Sequence, residues 1–424
     1  MLRVDTALYG GAMLVDRLLA LVLLPLLTRA IGAADYGAWT QTLVSSSLLL
    51  PLVLFAFPTT IVRSFAAAAR AGERLPNFRR LGAIALALLC IVSAGAWLAR
   101  VPVARWIWGD ESRVLLVPAL LGVLAGDAAV EFANAWLRAA GRIGWIAAGL
   151  LLRSVLRYAV VWVLVVPGRL PLAAWLPAYA LAQAVLGMGL LALAAWLLRR
   201  QARSAPLADA AQVPEPLGSM LRFSAPLVAL ALFGALNASL DRFLLVRGLG
   251  LETVAVYAAA MSLCAVPGTL HAVLGFTLFP ALARAWHEGR RGEARRLTRR
   301  ALSVFAAAAV PLAAAIAAAG PWLLPWLTTA GYRPAWPVFV GQSLAVVSFG
   351  LYQILLYPLL LDGRSGRVLR MAMVSAAANA ALNLALIPLL GMSGAALAIA
   401  LCNTAMLAWA LPQARAALAR TERR

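Results

Sequence analysis

Arg29-Ala-Ile-Gly32, Phe57-Pro58, Gly72-Glu73 and Arg79-Arg80 recur downstream as Arg247-Gly-Leu-Gly250, Phe279-Pro280, Gly292-Glu293 and Arg299-Arg300. The copies are offset by 218 to 222 residues, and each is embedded in long apolar runs. The chain therefore reads as two similar hydrophobic halves. Duplicated apolar halves are a sequence signature of membrane transporters, whose halves rock around a central cavity.

Composition fits that reading. Hydrophobic residues make up 63% of the 424 residues, charged residues 12%, and the mean hydropathy is +0.88. No soluble domain needs so much apolar surface, and the length fits one integral membrane domain. The formal charge of +21 could suggest nucleic acid. All 37 basic residues are arginine, however, and most sit in short gaps between apolar segments. That distribution excludes nucleic acid as a partner.

Twelve spans are predicted, near 7–28, 38–62, 81–99, 114–137, 145–166, 172–197, 222–246, 253–282, 301–319, 336–361, 368–388 and 393–412. Five arginines lie between 63 and 80 and seven between 283 and 300, whereas gaps after odd-numbered spans hold three at most. The positive-inside rule then places both termini in the cytoplasm. The expected fold is an all-α polytopic protein with about twelve transmembrane helices in two six-helix lobes. The lobes are 1–200 and 222–412. Residues 201–221, with Ser204-Ala-Pro206 and Pro214-Glu-Pro216, read as a cytoplasmic linker, and 413–424 as a basic cytoplasmic tail. Trp106, Trp108, Trp322 and Trp326, in the two longest outside gaps, suit the membrane interface.

Chemistry of the catalytic kind is not indicated. Cys90, Cys264 and Cys402 all fall within spans, without a CxxC spacing, and two histidines are too few for a metal site. No Walker loop and no nucleophilic triad is present, so no cofactor, no metal and no enzyme activity is expected. His271, in the eighth span, reads as a hydrogen-bonded helix contact.

Eight ionisable residues are predicted inside spans: Asp16, Arg17, Asp127, Glu131, Arg153, Arg157, Asp241 and Arg242. Each costs about 2.5–3.5 kcal/mol on insertion scales, so each needs a partner or water. Spans 4 and 5 form a hairpin turning at Gly141-Arg142. Equal distance from that turn predicts Glu131 opposite Arg153 and Asp127 opposite Arg157. Two readings remain open for these four, a buried ion-pair ladder or a water-filled site where the arginines attract an anion. Asp16-Arg17 and Asp241-Arg242 are sequence neighbours that diverge by about 100° on a helix, so both members cannot face the same way. Asp16 reads either as one half of a salt bridge to a nearby arginine or as a group that exchanges a proton or binds Na⁺. Asn379 and Asn383 are expected to bond across to another helix. Prolines within or near spans, among them Pro51, Pro58, Pro267 and Pro280, permit kinks.

Several motifs resemble a known family. Pro25-Leu-Leu-Thr-Arg-Ala-Ile-Gly32-Ala-Ala-Asp-Tyr36-Gly37 resembles the first-helix exit of polysaccharide transporters of the O-antigen flippase type. These share a superfamily with multidrug extruders and the lipid II flippase. Leu137-Arg138-Ala-Ala-Gly141-Arg142 is similar to the family's fourth-helix exit. Leu240-Asp241-Arg242-Phe243-Leu244 with Tyr257-Ala258 resembles the start of its second half. Asn379-Ala-Ala-Leu-Asn383, continuing to Pro388, Gly391 and Gly394, resembles helices 11–12. Nearly the whole chain is covered, and the order and spacing of the motifs carry the likeness.

The resemblance implies a MATE-like architecture in the bacterial cytoplasmic (inner) membrane. It implies translocation of an undecaprenyl-pyrophosphate-linked oligosaccharide to the outer leaflet, for cell-surface polysaccharide biosynthesis. In that family cavity arginines meet the pyrophosphate and sugars, and the counterparts here are Arg17, Arg153, Arg157 and Arg242. Asp16, Asp127, Glu131 and Asp241 are the candidate ion-coupling or arginine-positioning acids. Expected partners are the lipid-linked oligosaccharide, membrane lipids, H⁺ or Na⁺, and polysaccharide polymerase or assembly proteins. The competing reading is a cation-coupled multidrug or metabolite antiporter of the same superfamily. A membrane glycosyltransferase or ligase ranks lower, because the outside gaps carry few titratable groups.

Overall fold

A computed structural model describes residues 2–67, 71–168, 170–203 and 216–419. The middle of the expected linker, 204–215, and the end of the tail, 420–424, lie outside the described residues. The described chain is helical almost throughout. Its helices are α1 (Leu2–Ala30), α2 (Ala33–Leu54), α3 (Phe57–Ala67), α4 (Ala71–Leu98), α5 (Arg100–Trp108), α6 (Val117–Ala139) and α7 (Ile143–Val160). They continue as α8 (Leu172–Arg203), α9 (Leu217–Cys264), α10 (Gly268–His287), α11 (Arg291–Leu327), α12 (Trp336–Leu361), α13 (Ser365–Leu390) and α14 (Met392–Ala419). A 3₁₀ turn, Glu111–Leu116, leads into α6, and a π-helical turn, Val161–Val165, ends α7.

Eleven helices among the described residues are long and apolar enough to cross a membrane. One of them, α9, has 48 residues and bends where Gly250 leaves helical geometry at φ 83, ψ 173. Counted at that kink, with α10 continuing its second part, the passages number twelve, as expected. Gly32 lies in the break between α1 and α2, so the first repeated motif marks the junction of each half's first two spans. Gly292-Glu293 likewise opens α11, as Gly72-Glu73 opens α4. Large apolar side chains face outward, Leu98 at 83% and Leu389 at 78% exposure, as hydrocarbon surroundings permit.

Packing divides the chain into two compact units, Ala38–Ser239 and Met1–Gly37 with Leu240–Arg424. In the first, α6 lies against α8 at very short range. A Cβ on Gly126 would sit 2.7 Å from the Gln183 carbonyl carbon, and one on Gly187 2.7 Å from Ala129 Cβ. Small residues let membrane helices approach this closely, and Gly122-Val-Leu-Ala-Gly126 is a GxxxG pattern. In the second unit, α12 meets α14 in the same manner. A Cβ on Gly341 would lie 2.8 Å from the Ala396 carbonyl oxygen, and Ala345 follows four residues later. Gly122 and Gly126 map onto Gly341 and Ala345 at an offset of 219, so the internal repeat reappears as a shared packing solution.

Two spans are interrupted. Between α2 and α3, Phe55 and Ala56 take φ of 47° and 54°, a left-handed geometry that side chains rarely adopt. Residues 265–267 separate α9 from α10, and there Pro267 cannot donate.

Trp322 and Trp326 are exposed, as interfacial residues should be. Trp108 is a correction. It is 1% exposed, and its indole N–H donates to the Ala38 carbonyl at 3.2 Å and lies 3.3 Å from Thr42 Oγ1. The short helix α5 lays it against α2, and those acceptors satisfy the polar edge that would otherwise hold it at the interface. Asn383 is another. Its amide donates to the Asn379 carbonyl at 2.8 Å and to Asn379 Oδ1 at 2.9 Å, so its donor is satisfied within its own helix rather than across to a neighbour. His271 packs edge-on against Phe305 and Phe349, a contact between helices.

Candidate functional site

Four helices of the Ala38–Ser239 unit meet at one carboxylate. Asp127, on α6, is 7% exposed. Its Oδ2 accepts from Ser46 Oγ of α2 at 2.7 Å. Its Oδ1 accepts from Arg153 Nη2 of α7 at 2.7 Å and from Gln183 Nε2 of α8 at 2.8 Å. A carboxylate buried this deeply needs several donors and a countercharge, and here it has both. Gly126 explains the assembly. By admitting the α8 backbone it brings Gln183 beside Asp127, and it fixes which way α6 is turned.

The ion pair differs from the depth-matched expectation. Arg153 pairs with Asp127, one helical turn from Glu131, its expected partner. Equal depth about the 141–142 turn presumes that α6 and α7 pack lengthwise. Instead α6 takes α8 as its close neighbour, and the long Arg153 side chain spans the offset. Glu131 remains in the field of Arg138, Arg153 and Asp127. Arg157 lies one turn beyond Arg153, half-buried. Arg153 Nε is buried and has no partner among the described residues, so this guanidinium keeps donor capacity after binding Asp127. Gln41 and Ser45, one turn apart on α2, also bury polar atoms with no partner among the described residues.

A second polar cluster occupies the other unit. Asp241 Oδ2 accepts from the Tyr257 hydroxyl at 2.8 Å, and that hydroxyl accepts from Gln342 Nε2 at 2.5 Å. Asp241 Oδ1 also accepts the Arg242 backbone N–H at 2.8 Å, and Arg242 Nε lies 3.8 Å from it. The carboxylate thus ties the two segments of α9 to α12. Tyr257→Phe is expected to cost about 1–3 kcal/mol, because Asp241 and Gln342 both lose a buried partner. Thermal unfolding of Tyr257→Phe, Gln342→Leu and the double variant should show strong non-additivity. Additive losses would mean the three do not act as one network.

Asp16 and Arg17 are both half-buried on α1, and Arg17 Nη2 lies 3.4 Å from the Ser262 carbonyl of α9. The structure therefore brings together Asp127 with Arg153, and Asp241 with Arg242, within their own units. Nearby in the second unit, a cavity of about 540 Å³ opens among Thr28, Glu252, Tyr332 and Arg333. Tyr332 is 2% exposed, and its hydroxyl has no partner among the described residues. Burial pushes this phenol up from its ordinary value, and Tyr36 and Glu252 add to the shift, so it stays a neutral donor.

A family model described as polysaccharide biosynthesis protein matches residues 2–286. The chain belongs to that family. No curated protein matches the sequence. Among solved structures, the polysaccharide biosynthesis family member is similar to the lipid II flippase MurJ in an inward closed conformation. The TM-score is 0.71 at 11% identity, covering 96% of this chain and 87% of that one. A variant of the Vibrio cholerae MATE transporter VcmN gives 0.63 at 16% identity, covering 100% and 98%. A MOP-superfamily transporter from Pyrococcus furiosus, described as having a binding pocket of reversed polarity, gives 0.64 at 15% identity, covering 98% and 96%. These likenesses establish the MATE-like fold that the motifs implied.

Ser46, Gln183 and Gln342 were not among the residues the sequence singled out, and Tyr257 entered only as part of a family motif. Uncharged polar side chains in apolar runs stand out less than charges. The signal was nonetheless present, since Gly122 and Gly126 announce a close helix contact whose far side is Gln183.

Proposed function

We propose that this protein moves a lipid-linked oligosaccharide, anchored on undecaprenyl pyrophosphate, from the inner to the outer leaflet of the bacterial cytoplasmic membrane. The observation that carries the reading is the pairing of a polysaccharide biosynthesis family with a transporter fold. In this reading the chain is no enzyme. The apolar anchor stays in lipid while the polar head crosses inside the protein, by alternating access. Both termini face the cytoplasm, where arginine crowds the loops.

Arg153 and Arg157 are the residues assigned to the pyrophosphate. A guanidinium stays charged when buried, and its planar fork matches phosphate oxygens. Asp127 positions Arg153 rather than cancelling it, because only one nitrogen, Nη2, is committed to the carboxylate. The unpartnered polar atoms of Gln41 and Ser45 suit sugar hydroxyls. Within their own unit, Arg17 and Arg242 are assigned as substrate-binding arginines, with Asp241 positioning Arg242. Asp16 is assigned to coupling with H⁺ or Na⁺, and Glu131 to balancing charge around Arg153.

Arg157→Ala is expected to lower surface glycan display by about 10- to 150-fold, the equivalent of one charge-assisted bond of about 1.5–3 kcal/mol. Membrane insertion should stay normal. Complementation of a host lacking its own flippase measures both. Full display by Arg153→Ala and by Arg157→Ala would remove the proposed arginine role. Efflux of cationic dyes in the same host, without glycan display, would make the protein an antiporter instead.

A further inference from the structure

We infer that the groove between the start of α13 and the end of α14 is a binding site for an anionic phospholipid with a hydroxyl-bearing headgroup, of the phosphatidylglycerol type. The groove has a volume of about 450 Å³ and is lined by Arg367, Arg370, Met373, Val374, Trp409 and Gln413.

The charges are the first reason. Arg367 and Arg370 are three residues apart, so they share one face of α13. Neither has a carboxylate within ion-pair distance among the described residues. The nearby acid, Asp362, is already engaged by Arg364 at 2.5 Å. The two exposed guanidiniums therefore form an unneutralised fork at the rim of the groove, which suits one phosphodiester.

The walls are the second reason. Met373, Val374 and Trp409 are 43%, 53% and 42% exposed, and they continue from the arginines toward the middle of α13 and α14. Acyl chains suit such walls, and a free phosphate would leave them uncovered. Tryptophan beside arginine is the arrangement found where headgroups meet hydrocarbon. Gln413 supplies the third reason. Its Nε2 bonds back to the Trp409 carbonyl at 3.4 Å, while its Oε1 is buried without a partner among the described residues. An acceptor left in that position calls for a hydroxyl donor, which a glycerol headgroup has and a choline headgroup lacks. The site faces the cytoplasmic leaflet, given the orientation proposed above, and basic pockets between helices on that side suit anionic lipid heads.

Native mass spectrometry of the purified full chain, exposed to equimolar phosphatidylglycerol and phosphatidylcholine, tests the site. Each arginine near an anionic head is worth about fivefold in affinity. The wild type should therefore retain phosphatidylglycerol about 20- to 30-fold over phosphatidylcholine. The double variant Arg367→Gln with Arg370→Gln should bring that preference close to one. Arg299→Gln with Arg300→Gln, an equal loss of charge in the basic part of α11, should leave it unchanged. Gln413→Leu should lower phosphatidylglycerol retention severalfold without lowering phosphatidylcholine. Equal retention of both lipids by the wild type would overturn the proposal. So would an equal loss in the α11 control, which would reveal only a diffuse field. Displacement of phosphatidylglycerol by equimolar undecaprenyl pyrophosphate would reassign the groove to the cargo. None of these readouts depends on translocation.

Discussion

Asp127→Ala is expected to destabilise the protein by about 3–5 kcal/mol, the usual cost of stranding one member of a buried ion pair. Three donors lose their acceptor at once, Ser46 from α2, Arg153 from α7 and Gln183 from α8. Only Arg153 carries charge, so it should account for most of the loss. Asp127→Asn keeps a carbonyl acceptor but not the countercharge, and should fall between the wild type and Asp127→Ala. The double variant Asp127→Leu with Arg153→Met removes both charges, and should recover much of the stability lost by Asp127→Ala. Thermal unfolding of the detergent-purified protein measures all four. A melting temperature for Asp127→Ala within about 1 °C of wild type would show that the cluster ties nothing together.

Gly126→Val should have the second large effect, and it should appear as loss of folded protein rather than as a shifted melting curve. Overpacking a core usually costs about 1–3 kcal/mol, because neighbouring side chains can move aside. At Gly126 the obstruction is the α8 backbone at Gln183, 2.7 Å from the position a Cβ would take, and backbone does not yield so cheaply. Alanine is already too large there. Gly341→Val should behave alike, since Ala396 backbone atoms stand 2.8–2.9 Å away. Gly189→Ala and Gly234→Ala are the controls, because nothing lies within 4 Å of a Cβ at either position. Both should be neutral or stabilising, by up to about 1 kcal/mol. The yield of monodisperse protein by fluorescence-detected gel filtration separates the pairs. Normal yield for both valine variants would mean that the helices part without loss.

The helix count and its two-fold repetition were legible in the sequence because they rest on apolar runs and on the glycine breaks at Gly32 and Gly250. Orientation of side chains within the bundle was less so. Asp127 and Arg153 were both identified, yet the pairing slipped by a turn. Depth along a helix follows from residue number, but rotation follows from which neighbour a helix chooses. That choice was written at Gly122 and Gly126 in α6 and at Gly187 in α8, not in the charges. Trp108 slipped for a related reason. Composition places tryptophan at an interface, while acceptors contributed by Ala38 and Thr42, some seventy residues earlier, draw it inside. The Asp241 cluster shows the opposite case. Its acid was identified and Tyr257 was quoted beside it in a family motif, but nothing in the sequence linked the two side chains, and Gln342 is uncharged and stood out from no periodicity.

The gap between α9 and α10 also reports on its surroundings. From Leu251 to Cys264 the helix advances about 20 Å at 1.5 Å per residue, which sets residues 265–267 well inside the thickness of a bilayer's hydrocarbon. Regular helical pairing lapses there. Val266 bonds to the Leu263 carbonyl at 3.3 Å, Gly268 to that of Ala265 at 3.1 Å, and Pro267 has no N–H to offer. Hydrocarbon supplies no hydrogen bonds, so irregular backbone at that depth persists only against protein or water. Pro267 is itself buried, so protein covers the point at which the pairing lapses.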